Sequence, residues 1–320
     1  MLPKNESSLI EFFEKTVTKH GDKAAYKCLG QTVSFSDIDV LSSQFASYLI
    51  NECNLEKGDR VAIQLPNLIQ YPIVAWGIIR AGLIVVNTNP LYTERELLHQ
   101  FKDAGVLALV VLSDFLPLIE KVASKTKIEH IIATNATDML SPQRLPENSC
   151  KNITSLHEAL ALGEKSTLST VTCDFDDIVV LQYTGGTTGL SKGVMLTHGN
   201  LIGSAAIITA SFGLDVSLPE TCIAPMPLYH IYGFNINITS GFKNGILSIL
   251  IPNARDTDSL IKIMKNNHFT SFYGVNTLFV SLLQHPEFNT IDFSNTNKVV
   301  AGGAPLVDEI AIEWKERTGC

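Results

Sequence analysis

The sequence predicts an α/β protein built as two stacked α/β layers with mainly parallel sheets. Three observations predict it. Short, continuously apolar runs alternate with helix-period segments, which is the pattern of parallel strands buried on both faces. The alternation pauses once, between about residues 135 and 177, and then resumes. A loop dense in glycine and threonine separates two strand-like runs in the second half.

Taken in order, "SDIDVLSSQFASYLI" has helical period, "RVAIQL" reads as a strand, "IQYPIVAWGIIRAG" as a helix and "LIVVN" as a strand. "TERELLHQFKDAG" opens with Thr93 and Glu96 in capping-box spacing, which marks a helix start. "LALVVL", a helical "DFLPLIEKVAS" and the strand "IEHIIAT" complete the first series. The polar "NATDMLSPQRLPENSCKNITS" and the helical "LHEALALG" then form a connection. The second series runs from "IVVLQY" through the glycine loop, "GVMLT", the helix "GNLIGSAAIITASF" and "CIAPM" to the helix "YGFNINITSGF". It continues with "ILSILI", "DSLIKIMKNN", "TSFYG", "NTLFVSLLQH", "KVVAGG" and "VDEIAIEWKERTG". This order implies a first α/β sub-domain over 1–150 and a second over 151–320 that carries the glycine loop.

Composition narrows the function. At 320 residues, with 45% hydrophobic and 18% charged residues, the chain can build a sizeable core over about two domains. The net charge of −8, with no run of lysine or arginine, disfavours nucleic-acid binding and a polybasic membrane patch. The six cysteines, Cys28, Cys53, Cys150, Cys173, Cys222 and Cys320, form no C-x-x-C pair, so neither a zinc site nor a disulfide framework is indicated. A reducing cytoplasm fits that usage. Apolar runs such as "VLALVVL" are too short to span a bilayer, and the N-terminus lacks a signal-peptide h-region.

In open parallel sheets, ligands bind outside the carboxyl ends of the strands. Four such ends carry unusual residues: Tyr183-Thr184-Gly185-Gly186, Met226 to His230, Gly274 to Thr277, and Gly302-Gly303-Ala304-Pro305. If the last three strands share a sheet, their loops lie along one edge and line one crevice. The first loop, "TGGTTGLSKG", is not a Walker A motif, because Lys192 follows Ser191 and precedes Gly193. It is not the dinucleotide fingerprint either, and a strand rather than a helix follows it. Its chemistry is nevertheless that of phosphate capture. Backbone N–H groups at Gly185, Gly186 and Gly189 can form an anion nest. The hydroxyls of Thr184, Thr187, Thr188 and Ser191 add donors, and Lys192 supplies a point charge. The competing reading is a Gly/Thr surface hairpin with a solvated lysine.

"YTGGTTGLSKGVMLTH" resembles the signature loop of the adenylate-forming enzymes, the family of acyl-CoA synthetases, peptide-synthetase adenylation domains and luciferases. "VSFSDIDVLSSQFASYL", "GIIRAGLIVVNTNPLYTERELLHQFKDAG", "APMPLYHIYG" and "VVAGGAPL" resemble further motifs in the family's order, from about Phe35 to Cys320. "PLYHIYGFNIN" with "YGVNTLF" looks most like bacterial long-chain fatty acyl-CoA synthetases. The resemblance implies the N-terminal domain of such an enzyme, ending before its β-barrel part and C-terminal domain. It implies ATP, Mg²⁺ and coenzyme A, and two half-reactions: fatty acid to acyl-AMP, then acyl-AMP to acyl-CoA.

By motif position, Tyr183 to Lys192 would hold the β- and γ-phosphates, with Lys192 catalytic and Thr184 contacting magnesium. Gly303, Ala304 and Pro305 would border the adenine. His230 would orient the reacting carboxylate, or gate access to it, as a second catalytic residue. Phe234 would gate an acyl tunnel, and Gly274, Asn276 and Thr277 would border the acyl pocket, the missing side chain of Gly274 leaving room for an alkyl chain. Each also has a structural reading: His230 as a satisfied turn histidine, Phe234 as core, Asn276 or Thr277 as an N-cap. His198 is expected at a helix start, Asp176 and Asp177 in a solvated turn, and "NTNPLY" in a turn at Pro90 without chemistry.

In the family, Y-G-x-T-E and a later domain follow the point where "EWKERTGC" ends this sequence. The expectation is that these 320 residues fold, bind ATP weakly at best and do not turn over alone. The expected partners are fatty acid, ATP and coenzyme A, without nucleic acid. The expected location is the cytoplasm, with room for a homodimer and for peripheral contact of the full-length protein with the inner face of the membrane. Two other functions compete: adenylation of an aryl or short- to medium-chain acid, and a nucleotide-binding module without catalysis. A P-loop kinase or NTPase is disfavoured by the spacing at Lys192.

Overall fold

The computed structural model describes residues 6–141, 143, 145, 152–185, 190–212 and 219–320. The chain opens with α1 (Leu9–His20), β1 (Ala24–Cys28), β2 (Gln31–Ser34) and α2 (Phe35–Asn51). Next come β3 (Arg60–Gln64), α3 (Gln70–Arg80), β4 (Ile84–Asn87), α4 (Glu94–Ala104), β5 (Ala108–Leu112), α5 (Leu116–Ala123), β6 (His130–Thr134), β7 (Ile153–Ser155) and α6 (Leu156–Gly163). Then follow β8 (Ile178–Thr184), β9 (Lys192–Thr197), α7 (His198–Ser211), β10 (Thr221–Ala224) and α8 (Ile231–Gly233). A π-helical run, Phe234–Ser240, leads into α9 (Gly241–Lys243) and β11 (Leu247–Leu250). The last elements are α10 (Thr257–Lys265), β12 (Ser271–Gly274), α11 (Asn276–Leu283), β13 (Lys298–Ala301) and α12 (Asp308–Thr318).

The strands form a seven-stranded sheet in the order β7-β6-β5-β3-β4-β8-β9 and a six-stranded sheet in the order β13-β12-β10-β11-β1-β2. Both are parallel except for one antiparallel edge strand each, β9 against β8 and β2 against β1. Sheet membership does not follow the division at residue 150. β8 and β9 join the strands of the first half, and β1 and β2 join those of the second. The glycine loop therefore belongs to the first sheet, not to a unit made of the second series. The element α1 and the short strands β1, β2 and β7 were not expected from the sequence, because "AAYKC", "QTVS" and "ITS" carry neither a long apolar run nor a clear alternation.

Local signals and long-range burial agree elsewhere. Capping boxes fix the starts of α2 (Ser34 with Asp37), α4 (Thr93 with Glu96) and α7 (Thr197 with Asn200). Helix α3 is apolar nearly all round, and every residue from Gln70 to Ile79 is buried, as expected of a helix enclosed by protein on all sides. Its Trp76 packs on Phe13 and Phe242 with ring centroids 4.9 and 5.0 Å apart. This core is continuous with Val85 and Val180 of the first sheet and Tyr26 and Cys222 of the second, so both sheets share it. Among the described residues, no helix is long and apolar enough to cross a membrane.

Candidate functional site

The glycine loop joins two antiparallel strands, as expected, and so differs from loops that run into a helix. In the β8–β9 register, Thr184 stands opposite Lys192 and Tyr183 opposite Gly193. Cross-strand partners project to the same face within about 5.5 Å at Cβ, so a hydroxyl and an ammonium flank the loop's mouth. Thr184, Gly185 and Lys192 are exposed, and a Cβ on Gly185 would meet nothing within 4 Å. Gly186, Thr187, Thr188 and Gly189, expected to hold phosphate, lie outside the described residues.

Helix α4 grips both sides of this hairpin. The Tyr183 phenol donates to the Asp103 carboxylate at 2.6 Å, and His99 Nε2 donates to the Ser191 carbonyl at 2.7 Å. Burial, and secondarily the Asp103 carboxylate, push the Tyr183 phenol well above its ordinary pKa. The expectation that Tyr183 contacts phosphate is corrected on this point. Its buried side chain is already committed to Asp103, which leaves only its backbone for a ligand.

The other three loops share one edge. Strands β10, β12 and β13 are adjacent and parallel, so their carboxyl ends align. Gly302 N–H donates to the Gly274 carbonyl at 3.0 Å, and Asn276 Nδ2 donates to the Pro305 carbonyl at 2.7 Å. Gly303 takes a left-handed φ of +78°, which favours glycine. A Cβ on Gly302 would fall 2.6 Å from the Tyr232 ring. Ala304 and Pro305 are exposed beyond them.

Two expectations change here. A Cβ on Gly274 would lie 2.9 Å from the Phe279 ring, so the space is filled by that ring and not left open for an alkyl chain. Neither Asn276 nor Thr277 caps α11. The N-cap is Val275, and Asn276 reaches across to Pro305 with its Oδ1 buried and unpaired among the described residues.

His230 is exposed at the end of the β10 loop, and its Nδ1 accepts the Tyr232 N–H at 3.2 Å. The neighbouring protein partly desolvates the ring and draws its pKa below the ordinary value. The neutral form with Nδ1 accepting carries its proton on Nε2. Phe234, one turn on, is fully buried in the π-helical run, a geometry that is rare and frequent at functional sites.

The carboxyl edges of the two sheets enclose a cavity of about 680 Å³, within the usual ~300–1,000 Å³ of small-molecule sites. Its wall is mainly apolar, with Pro66, Leu91 and Met226, and includes Tyr229, Arg255 and Thr277. Of the expected acyl-pocket residues only Thr277 lines it. Leu91 of "NTNPLY", to which no chemistry was assigned, also lines it, Tyr229 does so as its place in the Met226–His230 loop led one to expect, and Arg255 was not anticipated. Its signal was its place after a strand end. Buried amides tie the edges together. Asn67 Nδ2 donates to the carbonyls of Ala224 and Met226 at 3.1 and 2.9 Å, its Oδ1 accepts Leu228 N–H at 2.8 Å, and Gln182 Nε2 donates to the Tyr229 carbonyl at 3.2 Å.

His198 begins α7, as expected. Its buried Nδ1 accepts Leu9 N–H at 2.9 Å, and burial pulls its pKa down to about 4. Asp177 sits in a turn and pairs with Lys57 at 2.8 Å. Among the described residues, no group of three or more histidines, cysteines or carboxylates could hold a metal. Thr184 alone, a single neutral hydroxyl, does not fit a resident Mg²⁺, which is usually held by one or two carboxylates plus substrate phosphates.

An α/β fold with a Gly/Thr hairpin and a histidine loop meeting at adjacent sheet edges defines a nucleotide-dependent class, and residues 13–320 match the AMP-binding enzyme family. The chain belongs to that family. Among curated proteins it is 40% identical to the long-chain-fatty-acid–CoA ligase of Haemophilus influenzae, over 98% of this chain and 59% of that protein. A crystal structure of a long-chain-fatty-acid–CoA ligase from Archaeoglobus fulgidus superimposes with a TM-score of 0.84 at 23% identity, covering 100% of this chain and 62% of the other. ATP-bound MatB from Rhodopseudomonas palustris gives 0.80 at 24% identity, covering 97% of this chain and 58% of the other. These likenesses place the fold with the N-terminal domain of acyl-CoA ligases. The chain spans about three-fifths of the length of the curated relatives it matches.

Proposed function

We propose that the whole protein activates a long-chain fatty acid with ATP and passes the acyl group to coenzyme A. In the first half-reaction a carboxylate oxygen attacks the α-phosphorus of ATP. The bond to the bridging oxygen breaks, and pyrophosphate leaves with the electron pair. In the second, the sulfur of deprotonated coenzyme A attacks the acyl carbonyl, and AMP leaves. The observation that carries the reading is that the loop mouth between Thr184 and Lys192 and the loop bearing His230 are joined across the sheets by Gln182 and Tyr229.

In this reading the hairpin donors and Lys192 stabilise charge that builds on the β- and γ-phosphates, as preorganised donors do in phosphoryl and nucleotidyl transfer. Gly303 to Pro305 border the adenine. His230 acts as a neutral donor through Nε2, because its lowered pKa and the Tyr232 bond to Nδ1 disfavour the cation. It orients the carboxylate and does not serve as a base. Thr277, Asn276 and Phe234 lie along the acyl side. Magnesium enters with ATP as part of the substrate, and no step here runs through it. Among the described residues His230 bonds the Tyr232 N–H and no carboxylate, which favours a plain fatty acid over an amino acid that would need an acidic partner for its amine. A long-chain, membrane-soluble substrate also favours peripheral contact of the whole protein with a membrane. A homodimer belongs to the same proposal and is read by sedimentation.

The test joins these 320 residues to the remaining C-terminal portion of a curated relative and measures AMP release and thioester formation over acids of increasing chain length. Rising efficiency toward long chains supports the reading. Turnover limited to aryl or short acids, or binding of ATP without any turnover, overturns it in favour of the two competing functions.

A further inference from the structure

The residue just before the phosphate hairpin mouth is part of a buried polar relay that crosses between the sheets. The Tyr71 hydroxyl donates to Asn87 Oδ1 at 2.5 Å. Asn87 Nδ2 donates to Gln182 Oε1 at 3.0 Å. Gln182 Nε2 donates to the Tyr229 carbonyl at 3.2 Å. Gln100 Nε2, from α4, holds the Asn87 carbonyl at 2.9 Å. Every side chain in the series is at most 5% exposed. Each bond runs in one direction, so both ends of the Gln182 amide are used and its orientation is fixed by its neighbours. Breaking one link strands a buried donor or acceptor, which typically costs about 1–3 kcal/mol.

The register gives this relay its meaning. Along a strand, residues two apart point to the same face, about 6.6–6.8 Å apart. Gln182 and Thr184 therefore share a face of β8, and their cross-strand partners Val194 and Lys192 share it on β9. That face bonds the carbonyl of Tyr229, and His230 is the next residue. Asn67 holds the same loop from the end of β3 through three bonds to Ala224, Met226 and Leu228. It fixes the loop's root, while Gln182 fixes the end that carries the histidine.

We propose that Gln182 is a positioning residue that sets the distance between the phosphate-holding hairpin and the carboxylate-orienting His230. The inference rests on the functional reading of those two loops. Two reactants that must meet in line gain rate from fixed separation. Here they sit on different sheets, and Gln182 is the side chain on the hairpin's own strand that bonds the histidine loop.

The test compares the wild-type chain with Gln182→Met, which keeps length and loses both amide partners, and with Tyr71→Phe, which removes only the first donor and leaves the fold less burdened. Histidine rings are labelled with ¹³C. The His230 cross-peak is assigned by His230→Gln and followed with and without ATP, and backbone amide exchange is measured over 226–230. His198, buried on the far side of the hairpin, serves as the internal control for global change. Expected for Q182M is a displaced His230 peak, exchange at 226–230 faster by at least threefold, and an ATP-induced displacement under a third of the wild-type value, with the His198 peak unmoved. Y71F should show the same signs at smaller amplitude, and it carries the test alone if Q182M does not fold. A His230 peak, exchange rate and ATP response equal to wild type in a folded variant overturns the proposal. Changes that appear equally at His198 also overturn it, because they mark general destabilisation. If the wild-type chain binds no ATP, the functional reading of the hairpin is what fails, and the positioning claim stands or falls on the ligand-free His230 peak and the 226–230 exchange.

Discussion

The hairpin at the end of the first sheet and the histidine loop at the end of the second are built in opposite ways. The hairpin is antiparallel at a sheet edge, its described mouth residues Thr184, Gly185 and Lys192 are exposed, and its expected determinants fall within ten consecutive residues. The histidine loop follows a buried interior strand, and the groups that shape it come from residues 67, 182 and 300, far away in sequence. In the proposed reading, the difference teaches that a loop that grips a charged ligand tolerates exposure, whereas one that aims a single side chain is enclosed.

Gly233→Ala tests that contrast most strongly. A Cβ there would come 2.2 Å from the Pro227 carbonyl oxygen and 2.7 Å from that of Met226, both backbone atoms in the loop itself. Overpacking of this kind is expected to lower stability by about 3 kcal/mol, the upper end of its usual range, read from urea midpoints. A loss below ~1 kcal/mol would show that the loop is not enclosed as described.

Next comes pH. His198 anchors the helix that leaves the hairpin, and its folded pKa of about 4 lies below the unfolded value near 6.5. The neutral form is the one the fold prefers. Its contribution is thus fully present above about pH 6.5 and is lost progressively as pH falls toward 4, up to about 3 kcal/mol in all. Denaturation at several pH values should show that slope in the wild type and a reduced slope in His198→Gln.

Smaller again is Tyr183→Phe, which leaves the Asp103 carboxylate without its phenol at 2.6 Å. About 1–2 kcal/mol is expected, with a matching change from Asp103→Ala and little further loss in the double variant. Gly185→Ala should be within ~0.5 kcal/mol of wild type, since its Cβ meets nothing within 4 Å and its φ is not left-handed. If it weakens ATP binding while leaving the melt unchanged, the glycine serves ligand approach and not the fold.

The same contrast explains what was legible in the sequence. Apolar runs such as "RVAIQL" and the spacing of Thr93 and Glu96 are local, so most strands and helix starts could be read directly. The hairpin's strand–loop–strand form was legible from "GVMLT". Partners distant in sequence were not. Nothing in "LPNL" reveals that Asn67 will brace a loop some 160 positions later, and nothing around Gly274 reveals that Phe279 fills its space. The allegiance of β1 and β2 to the second sheet was hidden for the same reason, since β1 pairs with Ser248 and Ile249 and β2 joins the sheet only through β1.

That last pairing has a consequence for how the protein is made. Tyr26 lies beside Ser248, so a growing chain carries β1 with only β2 beside it for about 220 residues, or about 10–45 s at ordinary elongation rates, before its other neighbour leaves the ribosome. The seven-stranded sheet, complete by Thr197, can close in the interval. The first segment synthesised is thus among the last to settle. Pulse proteolysis of stalled nascent chains should find residues 24–34 cleavable until the 247–250 strand has emerged.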